Sequence, residues 1–184
     1  MKIIVFSAFL FLFSTFSFSQ QKISFESFND DYKFTQFELS LPLAANPNRD
    51  QVDENTNEKQ SFFILDGICA KFGYGIHYEE WVGISLNTGI DWSIYNKLVS
   101  VPVYTQFTLN PKFSDENGIL VQAGIGKSFA IGKNGLNGTY KKLRLGVTFD
   151  DIALFADFST FGFKINNNEI GNISIGISVF AFDN

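Results

Sequence analysis

The stretch from Val82 to Ile94 constrains the fold more than any other part of the chain. Apolar or threonine side chains alternate along it with small or polar ones, without a break. A period of two puts each set on its own face of a β-strand, and this strand is longer than the usual five or six residues. Tilted by about 45°, the part from Val82 to Trp92 rises roughly 24 Å, close to the lipid-facing band of a membrane β-barrel.

The composition of the 184-residue chain limits its partners. Charged residues make up 18% of the sequence, aromatic residues 17%, and the formal net charge is −5. A negative charge with scattered lysine and arginine predicts that the protein does not bind nucleic acid. After the first twenty positions no run of eighteen apolar residues occurs, so no membrane-spanning helix is predicted. Cys69 is the single cysteine, which predicts a small apolar wall residue and no intramolecular disulfide.

Residues 1–19 have the organisation of a secretory signal peptide. Lys2 supplies the positive start, and the segment from Ile3 to Phe13 supplies an apolar core. The small residues Ser17 and Ser19 follow where a signal peptidase needs them. We therefore expect cleavage after the second of these serines and export of the mature chain.

The rest of the sequence predicts β-strands and no helix. Residues 20–31 form a short lead-in, and the predicted domain covers residues 32–184. The alternating segments are Tyr32–Leu43, Phe62–Tyr78, Val82–Ile94, Val99–Leu109, Ile119–Phe129, Tyr140–Phe149, Ile152–Phe163 and Ile173–Phe182. Eight such segments, mostly joined by hairpin-length links, predict an all-β, antiparallel, up-and-down eight-stranded barrel.

The predicted hairpins keep one apolar face continuous across their turns. The pairs that flank three of these turns are Tyr78 with Val82, Ile94 with Val99, and Phe149 with Ile152. Because a slip of one residue reverses every side chain, this agreement supports the barrel. Links are longer after the first, fifth and seventh strands and short after the second and sixth, as in membrane barrels with long outer loops and short periplasmic turns. The links after the third and fourth strands depart from this pattern.

The polar face decides which side of the barrel lies inside. A soluble, lipocalin-like barrel would bind an apolar ligand inside and turn its polar face to water. A water-facing surface normally carries about 25–35% charged residues. On the segments Val82–Ile94 and Ile173–Phe182 the polar face instead consists mostly of small residues, which suit a narrow lumen. We therefore predict a transmembrane barrel whose apolar face contacts lipid, and keep the soluble barrel as an alternative.

The same registers predict a network of charges inside the lumen. Arg144 lies directly opposite Asp157, and Lys71 is diagonal to Asp91. Opposite charges at cross-strand distance, in a lumen with little water, should pair. The predicted members of this network are Glu38, Lys71, His77, Asp91, Arg144 and Asp157.

Three segments carry a family resemblance: GYGIHYEEWVGISLNTGIDW, VSVPVYTQFTLNPKF and ILVQAGIGKSFAIG. They resemble the outer membrane protein beta-barrel domain family, the small OmpA-type eight-stranded barrels of Gram-negative bacteria. The shared features are a glycine-rich second strand, Pro102 near the start of the fourth strand, and the Gly124-x-Gly126 pattern in the fifth. The resemblance implies a fold and an outer-membrane location, and it implies no reaction. Such barrels often end on an aromatic residue, and here the alternation turns Phe182 inward.

Candidate catalytic and metal-binding residues are few. His77 and Glu79 share a strand face and could act as base and orienter. Some barrels of this size modify lipid A with His, Ser and an acidic residue. No His-x-Ser occurs here, and His77 is predicted near the periplasmic end, away from outer-leaflet lipid. The acidic residues of the first loop, whose spacing fits no ordered calcium loop, are Asp50, Asp53, Glu54 and Glu58.

The sequence therefore predicts a non-enzymatic, integral outer-membrane barrel with a filled lumen. Its expected partner is outer-membrane lipid, any further binding belongs to the outer loops, and no cofactor or metal is predicted. A lipid A deacylase or acyltransferase of the outer leaflet is a second alternative.

Overall fold

The computed structural model describes residues 32–46, 51, 59, 61–114, 116–132, 135–165 and 168–182. The predicted signal peptide, the lead-in and the acidic residues of the first loop lie outside these ranges. No helix in the described part of the chain is long and apolar enough to cross a membrane.

In the described part of the chain, nine β-strands form a single sheet. They are β1 (Lys33–Ala45), β2 (Phe63–Leu65), β3 (Gly67–Tyr78), β4 (Val82–Ser93), β5 (Leu98–Leu109), β6 (Asn117–Ile131), β7 (Asn137–Phe149), β8 (Ile152–Ile165) and β9 (Asn168–Phe182). The short β2 and the longer β3 both pair with β1, one after the other, and together occupy one position in the wall.

The sheet closes on itself. From β3 onward each strand pairs antiparallel with the next, and β9 pairs with β1 from Phe34–Phe182 to Leu43–Ile173. The predicted all-β, eight-stranded, up-and-down barrel is thus confirmed. We call the end where β1 begins and β9 finishes the proximal end, and the opposite end the distal end.

Two of the three predicted hairpin registers are confirmed and one is corrected. Tyr78 pairs with Val82, and Phe149 pairs with Ile152. Between β4 and β5, however, Val99 pairs with Trp92 instead of the predicted Ile94. The shift of two residues leaves every side chain on its predicted face.

Asp66 explains this shift. The backbone N–H of Ile94 donates to the Asp66 carbonyl at 2.5 Å, and the Tyr95 N–H donates to the Asp66 carboxylate at 2.6 Å. These bonds hold Ile94 in the turn, so that pairing in the hairpin starts two residues earlier on β4. Asp66 lies in the interruption between β2 and β3, where one continuous strand was predicted. At the neighbouring Gly67 a Cβ would collide with the carbonyl oxygen of Trp92.

The distal strand ends also differ from the prediction. Strands β6 to β9 run further than expected and leave links of only 132–136 and 166–167. The long outer loops predicted after the fifth and seventh strands are therefore short links. The additional strand residues are stabilised by packing inside the barrel, where Phe161, Phe163 and Ile170 are buried.

The wall is apolar outside and polar inside. Large outward side chains such as Leu86, Ile125 and Leu145 are each about 60% exposed, whereas the inward Gln36 and Arg144 are fully buried. Phe182 turns inward, as its position in the alternation predicts, and packs 5.8 Å from Phe34 between ring centres. This arrangement is the reverse of a soluble protein, whose large apolar residues face the core.

Glycines make room for large side chains inside the barrel. Gly126 pairs directly with Tyr104, and a Cβ at Gly126 would lie only 2.6 Å from the Tyr104 Cβ and closer still to the backbone of β5. Gly146 likewise pairs directly with Phe155 on β8, and a Cβ at Gly146 would lie 3.0 Å from the Phe155 Cβ. The glycines are therefore part of the packing that lets a narrow barrel hold aromatic rings.

We predict that the substitution Gly126→Val prevents most of the protein from folding, because added bulk in a packed core costs about 1–3 kcal/mol and here meets backbone. The matched control is Ala123→Val on the outward face of the same strand, which should fold like the wild type. The measurement is the fraction of heat-modifiable, folded protein on a gel after refolding in detergent. Equal folding of the two variants would contradict the packing role of Gly126.

Candidate functional site in the barrel lumen

The lumen contains two aromatic layers with a charged region between them. The proximal layer consists of Phe34, Leu120, Ala153, Phe180 and the partly buried Phe182. The distal layer consists of Leu98, Tyr104, Tyr140, Phe161, Phe163 and Ile170. The charged groups lie between the two layers, on strands β1, β3, β4, β7 and β8.

Four charged residues form the central cluster. Arg144 Nη2 donates to Glu38 Oε2 at 2.7 Å and to Asp157 Oδ2 at 2.8 Å. Lys142 Nζ donates to the same Glu38 oxygen at 2.8 Å and lies 3.8 Å from Asp157 Oδ2. All four side chains are buried. Two cations face two anions, so the cluster is neutral.

A separate ion pair lies elsewhere in the same region. Lys71 Nζ is 2.6 Å from Asp91 Oδ1, and both side chains are almost fully buried. The register sets Lys71 opposite Gly89, diagonal to Asp91. Because glycine leaves the opposite position empty, the lysine stem can lie across it to reach the carboxylate.

The structure brings five of the six predicted charge-network residues into these two groups. Arg144 and Asp157 pair directly across β7 and β8, and Glu38 reaches them from β1. His77 is the exception. It sits near the proximal end, 4.8 Å from Phe182 between ring centres, and its Nδ1 accepts the Glu80 backbone N–H at 3.2 Å. His77 therefore lies apart from both groups of ions, and its described contacts are aromatic rings and a turn amide.

A layer of glutamines joins the charged cluster to the proximal aromatic layer. Gln36 donates to Glu38 at 3.0 Å and to Ser178 at 2.9 Å. Gln106 and Gln122 both donate to the Gln36 side-chain oxygen, at 3.1 and 3.3 Å. Arg144 in turn donates to Gln122 at 3.2 Å. These amides give the buried ions additional partners, which a low-dielectric interior demands.

Aromatic rings cover the two central cations. The Arg144 guanidinium lies 3.2 Å from the centre of the Phe155 ring, a cation–π contact. Lys142 Nζ donates to the Tyr104 hydroxyl at 3.1 Å and lies 5.4 Å from the centre of that ring. The same two rings are those that Gly146 and Gly126 accommodate. The packing of the glycines and the solvation of the cations are therefore coupled.

Sequence reasoning missed Lys142, the glutamines and Asp66. Lys142 is two residues from Arg144, so it shares the inward face of β7, and this spacing was enough to find it. Gln36 is related to Glu38 in the same way. Asp66 had no such signal, because its part in the β4–β5 turn depends on the interruption between β2 and β3.

The chemistry of the lumen is that of paired ions. Each carboxylate of the cluster accepts from a cation, and no group of three or more His, Cys, Asp or Glu side chains suited to a metal ion occurs among the described residues. A soluble barrel for an apolar ligand would need an apolar cavity in the middle. Between the aromatic layers the structure has buried ions and amides instead, which argues against that alternative.

Comparison with solved structures identifies the fold. The chain is similar to the crystal structure of the N-terminal β-barrel domain of Pseudomonas aeruginosa OprF, with 9% identity over 82% of this chain and 98% of that one, at a TM-score of 0.50. It is equally similar to Neisserial surface protein A, with 9% identity over 80% and 96% of the two chains and a TM-score of 0.50. The architecture is that of small eight-stranded outer-membrane barrels. No protein-family model and no curated protein matches the sequence.

We predict that breaking the Lys71–Asp91 pair from one side is costly, because an unpaired charge then remains buried. Lys71→Met and Asp91→Asn should each lower the free energy of unfolding by about 3–5 kcal/mol, and the double variant should lose less than the sum. The measurement is urea unfolding in detergent micelles, followed by tryptophan fluorescence.

The matched control is the exposed pair Lys112–Glu80, at 2.5 Å with side chains 38% and 31% exposed. Lys112→Met and Glu80→Gln should each change the free energy of unfolding by less than about 1 kcal/mol. Additive losses in the buried pair, or equal losses in both pairs, would contradict an ion pair that stabilises through burial.

Proposed function

We propose that this protein is exported by a cleaved signal peptide and inserted in the outer membrane of a Gram-negative bacterium as a non-enzymatic barrel. The observation that carries the proposal is the inverted wall, with apolar residues exposed all around it and ions buried inside. In water such a surface would drive aggregation. In lipid it is the favoured arrangement, and closure of the sheet leaves no unpaired edge within the hydrocarbon region.

The height of the apolar wall supports the proposal. Strand β4 has 12 residues, and a strand of 9–11 residues tilted by about 45° suffices to cross a bilayer. Aromatic side chains of the type that occupies membrane interfaces lie near both ends of this region. Tyr78 and Trp81 are exposed near the proximal end, and Trp92 and Tyr95 near the distal end.

The packing of the lumen supports a structural role without solute passage. Eight strands leave an interior just wide enough for side chains. Here Gln36, Gln106, Gln122 and Arg144 have no exposed surface. The aromatic layers lie on either side of them along the barrel axis. The two aromatic layers and the buried polar groups between them therefore leave no open path for water and ions.

The arrangement of polar groups also favours a protein that binds over one that catalyses. The lumen carboxylates accept from lysine and arginine, which leaves them poorly placed to take a proton from a substrate. His77 lies near the proximal end, whereas a lipid A-modifying enzyme would need its catalytic histidine close to the outer leaflet. Any recognition of partners is therefore assigned to the distal links and to the outward surface of the wall.

Fractionation of cells that express the full chain tests the location. We expect the protein in the outer-membrane fraction, extractable only with detergent, heat-modifiable on a gel, and starting at Gln20. Recovery as a soluble periplasmic protein would overturn the membrane assignment. An intact residue 1–19 segment on the membrane-bound protein would overturn the cleavage.

Liposome swelling tests the closed lumen. Vesicles that contain the purified, folded protein should swell in small sugars no faster than empty vesicles, because the buried ions and rings leave no continuous water path. A general diffusion porin in the same vesicles serves as the positive control. Swelling well above the empty vesicles would contradict a filled lumen.

A further inference from the structure

Two lysines interrupt the apolar outer wall near its distal end. On β6, Lys127 follows four outward apolar side chains, those of Ile119, Val121, Ala123 and Ile125. On β7, Lys141 likewise follows those of Phe149, Val147, Leu145 and Leu143, counted from the proximal end. Both lysines are exposed. Charges on the lipid-facing surface of a barrel are unfavourable except near the interfaces, so these positions require an explanation.

The two lysines are neighbours on the same face. The β6–β7 register sets Lys127 opposite Thr139, so Lys141, two residues further along β7, is its diagonal neighbour. Cβ atoms in this relation are about 7–8 Å apart, within reach of long side chains. Two ammonium groups and the Thr139 hydroxyl can therefore converge on one group, although the like charges repel each other when nothing lies between them.

In the described part of the wall, these two lysines have no carboxylate beside them on their own or the adjoining strands. Over the described residues the outward faces of β5, β6, β7 and β8 carry no Asp or Glu. The outward Lys164, at the distal end of β8, differs in this respect, because Glu169 on β9 lies directly opposite it. Charge complementarity therefore requires an external anion beside Lys127 and Lys141, and not beside Lys164.

The wall below the lysines fits the rest of such a ligand. Leu143 pairs with Phe158 across β7 and β8, and Ile125 pairs with Lys141 across β6 and β7. All three apolar side chains are at least half exposed. An amphiphile with its anionic group at the lysines would lay its hydrocarbon chains along this strip, and lysine stems extend readily from apolar surface to a polar interface.

We propose that Lys127, Lys141 and Thr139 bind a phosphate group of a phosphorylated glycolipid in the outer leaflet. The inference rests on the proposed function, because the distal end meets the outer leaflet only if the barrel spans the outer membrane with its proximal end in the periplasm. Ammonium–phosphate contacts are charge-assisted and hold the lipid against the wall. The site lies on the outward surface and is separate from the ions of the lumen.

Native mass spectrometry of the folded protein in neutral detergent micelles tests the site. Lipid A, phosphatidylglycerol and phosphatidylcholine are titrated against the wild type, Lys127→Ala/Lys141→Ala and Lys164→Ala. Two lysines near a membrane surface should contribute about 10- to 30-fold to binding of a lipid phosphate. We expect the double variant to bind lipid A more weakly by this factor, and Lys164→Ala to bind lipid A with the affinity of the wild type.

Three results would overturn the inference: equal binding of lipid A by the double variant and the wild type, an equal loss in Lys164→Ala, or unchanged binding of dephosphorylated lipid A by the wild type. If the double variant lost affinity for phosphatidylglycerol by the same factor as for lipid A, the assignment to the outer-leaflet glycolipid would be overturned. A heat-modifiability gel of each variant checks that the barrel is folded. Failure of the proposed function is distinguishable, because it shows in the cell fractionation and not in the micelle titration.

Discussion

The Arg144 guanidinium is the interaction on which the interior depends. It binds carboxylates from two strands that are far apart in the sequence, Glu38 on β1 and Asp157 on β8, at 2.7 and 2.8 Å. A buried cation in this position must be paired, since an isolated charge in a low dielectric is very costly. Only the closed barrel, which pairs β1 with β9 and β9 with β8, supplies both anions at once. Closure and charge neutralisation therefore require each other.

This requirement explains why the lumen combines glycines with large residues. Arg144 needs the Phe155 ring and Lys142 needs Tyr104, and both rings need an inward glycine on the adjoining strand. The small residues that the sequence shows on its polar face are thus one half of a packing arrangement. The other half, the buried aromatic residues, is less visible in the sequence because aromatic residues are also frequent on the outward face.

Much of the fold follows from local patterns, and the exceptions depend on contacts between residues that are far apart in the sequence. Alternation fixes which face each residue takes, so the strand number, the facing and the Arg144–Asp157 pair are all predictable from the sequence. The register of β4 with β5 is not, because it depends on Asp66, which acts across the sheet from the break between β2 and β3. His77 was grouped with the lumen charges because it faces inward, but it lies near the proximal end, as predicted, with Phe34 and Phe182 as ring neighbours.

Among the described residues, the exposed charges near the two ends of the barrel wall differ in sign. The proximal turns contain Glu79, Glu80, Asp150 and Asp151, and partial burial with neighbouring Asp150 and Glu80 raises the pKa of Asp151 above its usual value. Toward the distal end the outward charges are mostly lysines. If the barrel spans the outer membrane as proposed, phosphate groups of the outer leaflet attract the distal lysines and repel the proximal carboxylates. The exposed charges of the described residues therefore favour the proposed orientation, whereas the link lengths add little to it, because only the link between β1 and β2 is long at the distal end.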